Sequence, residues 1–325
     1  LTENDADDEG YDNTISGYDI ETARGVCRIP VPESCRCQEM VSDGRLLYVY
    51  TERAVTAIDP RAQRVRWTRE YADEPAYAVG SLVTADDTVY ATGISKNMMG
   101  AVYDSSVWNS TIVRMDTSDG TGGEQRFREV EQEARLHAAA ESWLAYAEGL
   151  LFFALDNHLY AVDPSGGPEY LWKNPIPGFD GAFNCRISRQ GIAADASRVY
   201  VGPSKVDAGR ESVTGDVLPG GERLQAAVAA YDHRTGTMQW STPLSDAGVS
   251  AIATADDVVV VYESSGALVA LAGSDGHRIW EYHDAGSRPV IAGTTVYTAH
   301  ATADSVVGVD LATGDETHRY DLPDG

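Results

Sequence analysis

An all-β fold made of repeated four-stranded units is predicted by three features of the 325-residue chain. One phrase recurs along it, short alternating runs precede each copy, and copies follow one another at roughly 40 to 50 residues. The phrase is a β-rich run ending in Asp, a turn that often holds Thr-Gly, and a Trp eight or nine residues after the Asp. It is plainest in Ala229-Ala230-Tyr231-Asp232-His233-Arg234-Thr235-Gly236 before Trp240 and in Leu159-Tyr160-Ala161-Val162-Asp163 before Trp172.

Runs rich in Val, Tyr, Ala and Trp, bounded by Gly, Asp and Ser, are strands rather than helices. Six units follow in order, with second strands at Leu46–Tyr50, Thr88–Thr92, Leu150–Ala154, Arg198–Gly202, Val258–Tyr262 and Thr295–His300. Their third strands end at Asp59, Asp116, Asp163, Asp232, Ala272 and Asp310. The aromatic slot then holds Trp67, Phe127, Trp172, Trp240, Trp280 and, in the most degenerate unit, His318. Each unit has room for a first strand, such as Gly191-Ile192-Ala193-Ala194-Asp195. Four short antiparallel strands at this period form a propeller blade.

A seventh echo lies at Tyr18-Asp19-Ile20-Glu21-Thr22-Ala23, with Cys27 in the aromatic slot and Pro30 beyond, but no convincing inner pair precedes it. Seven blades are therefore expected, one imperfect, with six or eight as alternatives. The Asp and Trp read as architecture: Asp accepts backbone N–H groups in a tight turn, and Trp fills the space between adjacent sheets.

With these units in hand, the chain resembles the pyrroloquinoline-quinone-type propeller repeat, a Val-Tyr-Val-Gly strand and a Leu-Tyr-Ala-Leu-Asp strand followed by Thr-Gly and Trp. The resemblance runs from Tyr18 to about Tyr320. It implies a single propeller domain over residues 14–325. Such repeats build quinone-dependent dehydrogenases, a lipoprotein of outer-membrane protein assembly and secreted proteins of no assigned role, so the fold alone does not carry a function. The dehydrogenases place an adjacent Cys-Cys ring against the cofactor and a calcium held by Glu, Asn and Asp. Here the nearest pair is Cys35-Arg36-Cys37, and no matching ligand set exists, which argues against quinone binding. No cofactor is expected; a surface-bound calcium or similar cation is the alternative.

The chain carries 50 acidic and 25 basic residues, a net charge of −25, and only three lysines, Lys96, Lys173 and Lys205. Acidity spread over every unit with so little Lys is the composition of a protein from molar salt, where screening removes self-repulsion. The source read from it is a halophilic archaeon. At 43% hydrophobic residues the chain can still build a large core. No basic stripe exists to neutralise phosphates, so nucleic acid is excluded as a partner.

Residues 1–13 are polar and acidic and read as a tether following a signal or lipid-anchored leader, which implies an exported or surface-anchored monomer. Four cysteines, Cys27, Cys35, Cys37 and Cys185, would form two disulfides in that setting, with three connectivities open. Cys27 bonded to Cys35 or Cys37 would staple the N-terminal unit, and the remaining one could reach Cys185. Asn109-Ser110-Thr111 is a glycosylation acceptor triplet.

In an up-and-down blade, the connections between strands two and three leave from the same side as those between blades. The long insertions all belong to these two classes: Ile94 to Asn109, Lys205 to Arg223, Glu129 to Glu141 and Pro175 to Arg189. Loops longer than the scaffold needs are where binding concentrates. Met98, Met99, Tyr103 and Trp108 in the first, with Phe179, Phe183 and Asn184 in the last, are the candidate partner-binding residues. Glu129 to His137 reads as a short surface helix.

No His-x-x-x-His, Glu-x-x-His or Gly-x-Ser-x-Gly pattern occurs, and the seven His residues are scattered. The reading is a non-enzymatic propeller that binds protein or cell-envelope partners. Its alternatives are a quinone- and calcium-dependent oxidoreductase or a carbohydrate-binding propeller using the central channel. The charge balance makes its own prediction: thermal unfolding followed by circular dichroism shifts upward by many degrees between low salt and molar KCl, and an unmoved midpoint contradicts the high-salt reading.

Overall fold

Runs of four to six residues in which Val, Tyr, Leu and Ala dominate can shed water from both faces only by stacking as sheets. The computed structural model of the protein describes residues 2–3, 14–19, 24–30, 37–51, 54–70, 81–94, 109–128, 144–155, 158–167, 169–177, 186–204, 227–244 and 248–321. These form seven small antiparallel sheets, with no helix among the described residues. The protein is an all-β propeller of such sheets.

Six sheets are four-stranded blades in simple up-and-down order. Blade 1 is β4 (Cys37–Ser42), β5 (Leu47–Thr51), β6 (Ala54–Asp59) and β7 (Arg64–Glu70). Blade 2 is β8 (Leu82–Ala85), β9 (Thr88–Ile94), β10 (Asn109–Asp116) and β11 (Glu124–Arg128). Blade 3 is β12 (Leu144–Ala147), β13 (Leu150–Leu155), β14 (His158–Val162) and β15 (Tyr170–Pro175). Blade 4 is β16 (Arg186–Ala194), β17 (Arg198–Ser204), β18 (Ala227–Asp232) and β19 (Met238–Pro243). Blade 5 is β20 (Val249–Ala255), β21 (Val258–Glu263), β22 (Leu268–Ala272) and β23 (Arg278–Tyr282). Blade 6 is β24 (Val290–Ala292), β25 (Thr295–Ala299), β26 (Ser305–Asp310) and β27 (Glu316–Asp321).

The seven expected blades are therefore six. The N-terminal echo builds a three-stranded sheet, β1 (Thr2–Glu3), β2 (Thr14–Tyr18) and β3 (Gly25–Pro30). Its phrase encodes the outer two strands only, and the two-residue β1, paired with Thr14 and Ile15, stands where a full second strand would lie. Thr2 and Glu3, expected in a tether, are thus in a strand, and residues 4–13 lie outside the described set. The helix expected at Glu129 to His137 lies outside it too.

The chain divides into two compact units, Leu1–Leu136 and His137–Asp324. Within each, the first strand of one blade neighbours the first strand of the next: β4 with β8 in one, β12 with β16, β16 with β20 and β20 with β24 in the other. The third strands are buried almost throughout; β22 is buried along its whole length. The outer strands β7, β15, β19 and β23 each bury one residue, the Trp, and expose most of the rest, as in β19 around Trp240. Apolar layers fill the space between neighbouring blades, for example Tyr200, Trp240, Val249, Val259 and Leu271 between blades 4 and 5.

A register shift aims that one buried residue. In six of the seven outer strand pairs the residue just before the aromatic slot is an extra one: Val26, Arg66, Leu171, Gln239, Ile279 and Thr317. Such a bulge bends the strand and re-aims the next side chain. It turns each Trp into the blade that follows. Trp67 Nε1 donates to Thr117 O at 3.0 Å, Trp172 to His233 O at 3.1 Å, Trp240 to Gly273 O and Trp280 to Leu311 O at 2.8 Å. Each acceptor is the residue after the Asp position in the next blade's turn.

The ring then lies on the glycine of that same turn. Gly276 has φ +75°, and a Cβ there would sit 2.5 Å from Trp240 Cε3, so the position requires glycine twice over. Burying a Trp of roughly 150–250 Å² contributes up to about 4–6 kcal/mol, against about 1 kcal/mol net for its hydrogen bond. Packing therefore supplies most of the stability and the bond fixes the orientation. In urea unfolding, Trp240→Phe is expected to cost about 1 kcal/mol and Trp240→Ala about 3–5 kcal/mol. A variant Trp240→Ala within 1 kcal/mol of the native protein contradicts this account.

Candidate functional site

The turns that receive the tryptophans are held by carboxylates. Asp232 Oδ1 accepts from Arg234 N (3.1 Å), Thr235 N (2.8 Å) and Thr235 Oγ1 (2.9 Å). Asp163 accepts from Ser165 N and Oγ, Asp116 from Ser118 N and Oγ, Asp310 from Ala312 N and Thr313 N, and Asp59 from Ala62 N. Because these bonds favour the charged form, three carboxyls lie below the usual range. The backbone and hydroxyl of Thr235 lower Asp232, and the hydroxyl and backbone N–H of Ser165 and Ser118 lower Asp163 and Asp116. These groups cap turns.

At the hairpin between first and second strands, blades 1 and 4 share a second device. Tyr48 OH donates to Asp43 Oδ2 at 2.9 Å and Tyr200 OH to Asp195 Oδ2 at 2.6 Å. Burial works to raise the Asp195 carboxyl, but the Tyr200 hydroxyl and the Ser197 and Arg198 N–H groups outweigh it and hold it low. Burial, then the neighbouring carboxylate, pushes both phenols well above their ordinary value.

On the side of the connections between strands two and three, polar groups are buried rather than exposed. Glu39 Oε2 on β4 accepts from Leu82 N on β8 at 2.6 Å, so a carboxylate ties two first strands together. Glu263, 2% exposed at the end of β21, accepts from Ser265 Oγ at 3.1 Å. Thr298 Oγ1 donates to Ser287 O at 2.8 Å, and Ser287 Oγ accepts from Ala299 N at 2.8 Å. Among the described residues no group of three or more His, Cys, Asp and Glu is placed to hold a metal ion. His277 and His283 make solvent-exposed contacts with Asp275 and Glu281, and His318 stacks on Tyr320 at 5.9 Å. His318 Nδ1 also lies 2.8 Å from Thr317 Oγ1 in an exposed contact.

The candidate partner-binding residues Met98, Met99, Tyr103, Trp108, Phe179, Phe183 and Asn184 all lie outside the described residues. The strand bounds nonetheless fix where their segments leave the sheets: from the end of β9 at Ile94 to the start of β10 at Asn109, and from β15 at Pro175 to β16 at Arg186. Asn109, the first residue of the acceptor triplet, begins β10 and pairs with Arg128. Cys27 carries a free, half-buried thiol packed beside Gly17. Cys35 and Cys185 lie outside the described residues, as does the side chain of Cys37.

One exposed feature escaped sequence reasoning. Val26, Leu171 and Ile279, at 55%, 57% and 40% exposure, are the bulge residues of their strands. Their shared place, one residue before Cys27, Trp172 and Trp280, was the signal available. Tyr170 and Met238 add further exposed apolar surface two residues before Trp172 and Trp240.

A family model described as outer membrane protein assembly factor BamB matches residues 11–201 and, in an overlapping second copy, 156–325. The chain belongs to this family. No curated protein matches it. Among solved structures it is similar to BamB from Moraxella catarrhalis, at 16% identity and a TM-score of 0.56, covering 99% of this chain and 91% of that one. It is also similar to the computationally designed Ika8 protein, at 12% identity and a TM-score of 0.60, covering 98% of this chain and 85% of that one. A europium-containing methanol dehydrogenase aligns at 14% identity and a TM-score of 0.50, covering 74% of this chain and half of its own length. At these identities the structural likeness carries the fold alone.

The carboxylate environment of this family member sets its acid behaviour. Asp232, Asp163 and Asp116 have folded values below the unfolded value of about 3.9, so their contribution is present above that pH and lost as pH falls through the folded values. Urea midpoints in molar salt should hold at neutral pH and fall below about pH 4. Asp232→Asn, which keeps the acceptor but cannot titrate, should flatten that fall; an unchanged slope contradicts the assignment.

Proposed function

We propose that the protein is a non-enzymatic scaffold of the cell envelope that holds a protein partner on the side where its long connections emerge. The observation that carries this reading is the distribution of connection lengths. The hairpins between first and second strands are tight, as from β8 at Ala85 to β9 at Thr88 and from β20 at Ala255 to β21 at Val258. The chain instead lengthens between β9 and β10, between β17 at Ser204 and β18 at Ala227, and between β11 at Arg128 and β12 at Leu144. Those connections leave one side of the blades within each unit, and extra chain on a rigid scaffold is where contact residues accumulate. Membership in a family described as an assembly factor supports binding over turnover.

The carboxylates of the repeated turns, Asp116, Asp163 and Asp232, cap those turns, which supports reading the repeat as scaffold. The acidic balance supports a protein that works in molar salt, in a halophilic archaeon, outside the cell or anchored to its surface. Trp108→Ala, Tyr103→Ala and Phe183→Ala should each weaken capture of the partner from native envelope extract by on the order of 2 kcal/mol, as buried aromatic anchors do. Their unfolding midpoints should stay at the native value. Capture that is insensitive to all three substitutions contradicts the reading.

A further inference from the structure

Four seams between neighbouring sheets are built alike, and the one that begins at the N-terminal sheet is not. Trp67, Trp172, Trp240 and Trp280 lie on Gly120, Gly236, Gly276 and Gly314, whose φ values run from +70° to +79°. Between the N-terminal sheet and blade 1 the aromatic slot holds Cys27, and the turn position that would receive a ring is Gln63, at φ +49°. The two differences belong together. A Cβ at any of the four glycines would lie 2.5 to 2.7 Å from a ring atom of its Trp, so a side chain at position 63 fits a small thiol in the slot and not an indole. Gln63 instead reaches across the seam, its Nε2 donating to Val26 O at 3.2 Å in an exposed contact.

The buried part of this seam is aliphatic. Ile15 and Ile29 of the sheet meet Val49 and Ile58 of blade 1, with Cys27 half-buried beside them. A thiol covers far less apolar area than an indole and is a weak donor. The exposed Gln63 bond adds little, since water replaces it when the surfaces part. On its other side blade 1 is tied to blade 2 by Trp67 Nε1 on Thr117 O, by Arg69 Nη1 on Gly120 O, and by Glu39 Oε2, which accepts from Leu82 N. Among the described contacts, blade 1 is therefore held more firmly by blade 2 than by the sheet that precedes it.

We propose that the N-terminal sheet is a flap that swings off blade 1 as one unit while blades 1 and 2 stay folded, uncovering the apolar face around Val49 and Ile58. Strands β2 and β3 move together because their ladder runs from Thr14↔Pro30 to Tyr18↔Gly25 and continues into the bond from Asp19 N to Arg24 O at 2.9 Å. The weak plane is the seam, not the ladder. Cooperative units of this kind open with free energies below that of global unfolding. The flap is set by the seam and does not depend on what the long connections bind.

Native-state amide exchange on the full chain, in molar KCl with urea kept below the unfolding transition, reads the flap directly. Amides bonded between β2 and β3 should share one opening reaction, at least about a hundredfold more populated than the global unfolding that exposes β6. Its urea dependence should be finite and smaller than that of global unfolding, because only part of the surface is exposed. Cys27→Trp combined with Gln63→Gly supplies a ring and its seat, and should lower the opening by at least about tenfold while β6 is unmoved. Cys27→Trp by itself, set against the Gln63 Cβ, should not. Amides of β2 and β3 that exchange only together with β6, or one by one with no urea dependence, overturn the proposal, as does a folded double variant whose opening is unchanged. Should the double variant fail to fold, the comparison of β2 and β3 with β6 in the native protein decides.

Discussion

The contact on which the blade arrangement depends runs from one outer strand to the next blade's turn. A tryptophan, turned by a bulge, places its ring on a turn glycine and its N–H on the carbonyl one residue after the Asp position. Sheets packed face to face through aliphatic side chains can slide; an indole with a fixed donor and a glycine seat cannot. The same contact explains three otherwise separate requirements of the repeat. The Asp shapes the turn that offers the carbonyl, the glycine leaves room for the ring, and the extra residue before the Trp supplies the angle.

This economy bears on function. Residues that recur in every unit are consumed by blade-to-blade docking, and the described carboxylates, phenols and buried glutamates are consumed by turns and strand ties. What distinguishes one blade from another lies in the connections and at the edges. Blade 2 departs twice, with Phe127 in the slot of an unbulged strand and with a long segment between its second and third strands. Departures of this kind are where the proposed scaffold would choose its partner.

Much of the architecture was legible because it rests on short-range pattern. Second strands expected at Thr88–Thr92 and Val258–Tyr262 appear as β9 and β21, within one or two residues at their ends. The strand ending at Asp232 and the slot at Trp240 could be read from turn chemistry alone. Blade number could not, because the echo at Tyr18 to Cys27 specifies an outer pair whatever lies inside it, and its inner neighbour is only Thr2–Glu3. The direction of the tryptophans was hidden too, since a bulge is a property of pairing register rather than of composition. Tyr103, Trp108 and Phe183 lie outside the described residues, and strand bounds fix only the ends of the strands that flank their segments, Ile94, Asn109, Pro175 and Arg186. The exposed Val26, Leu171 and Ile279 looked like ordinary strand residues until the bulge was seen.

The docking claim is tested most directly by a double-mutant cycle across blades 5 and 6, in which Trp280 faces Gly314. Gly314 has φ +79°, and an added Cβ would lie 2.7 Å from Trp280 Cγ. Gly314→Ala should therefore cost several times less stability in the Trp280→Ala background than in the native protein, a coupling of about 1 kcal/mol or more. Strictly additive losses, with the two substitutions indifferent to each other, would contradict the claim that the ring is seated on that turn.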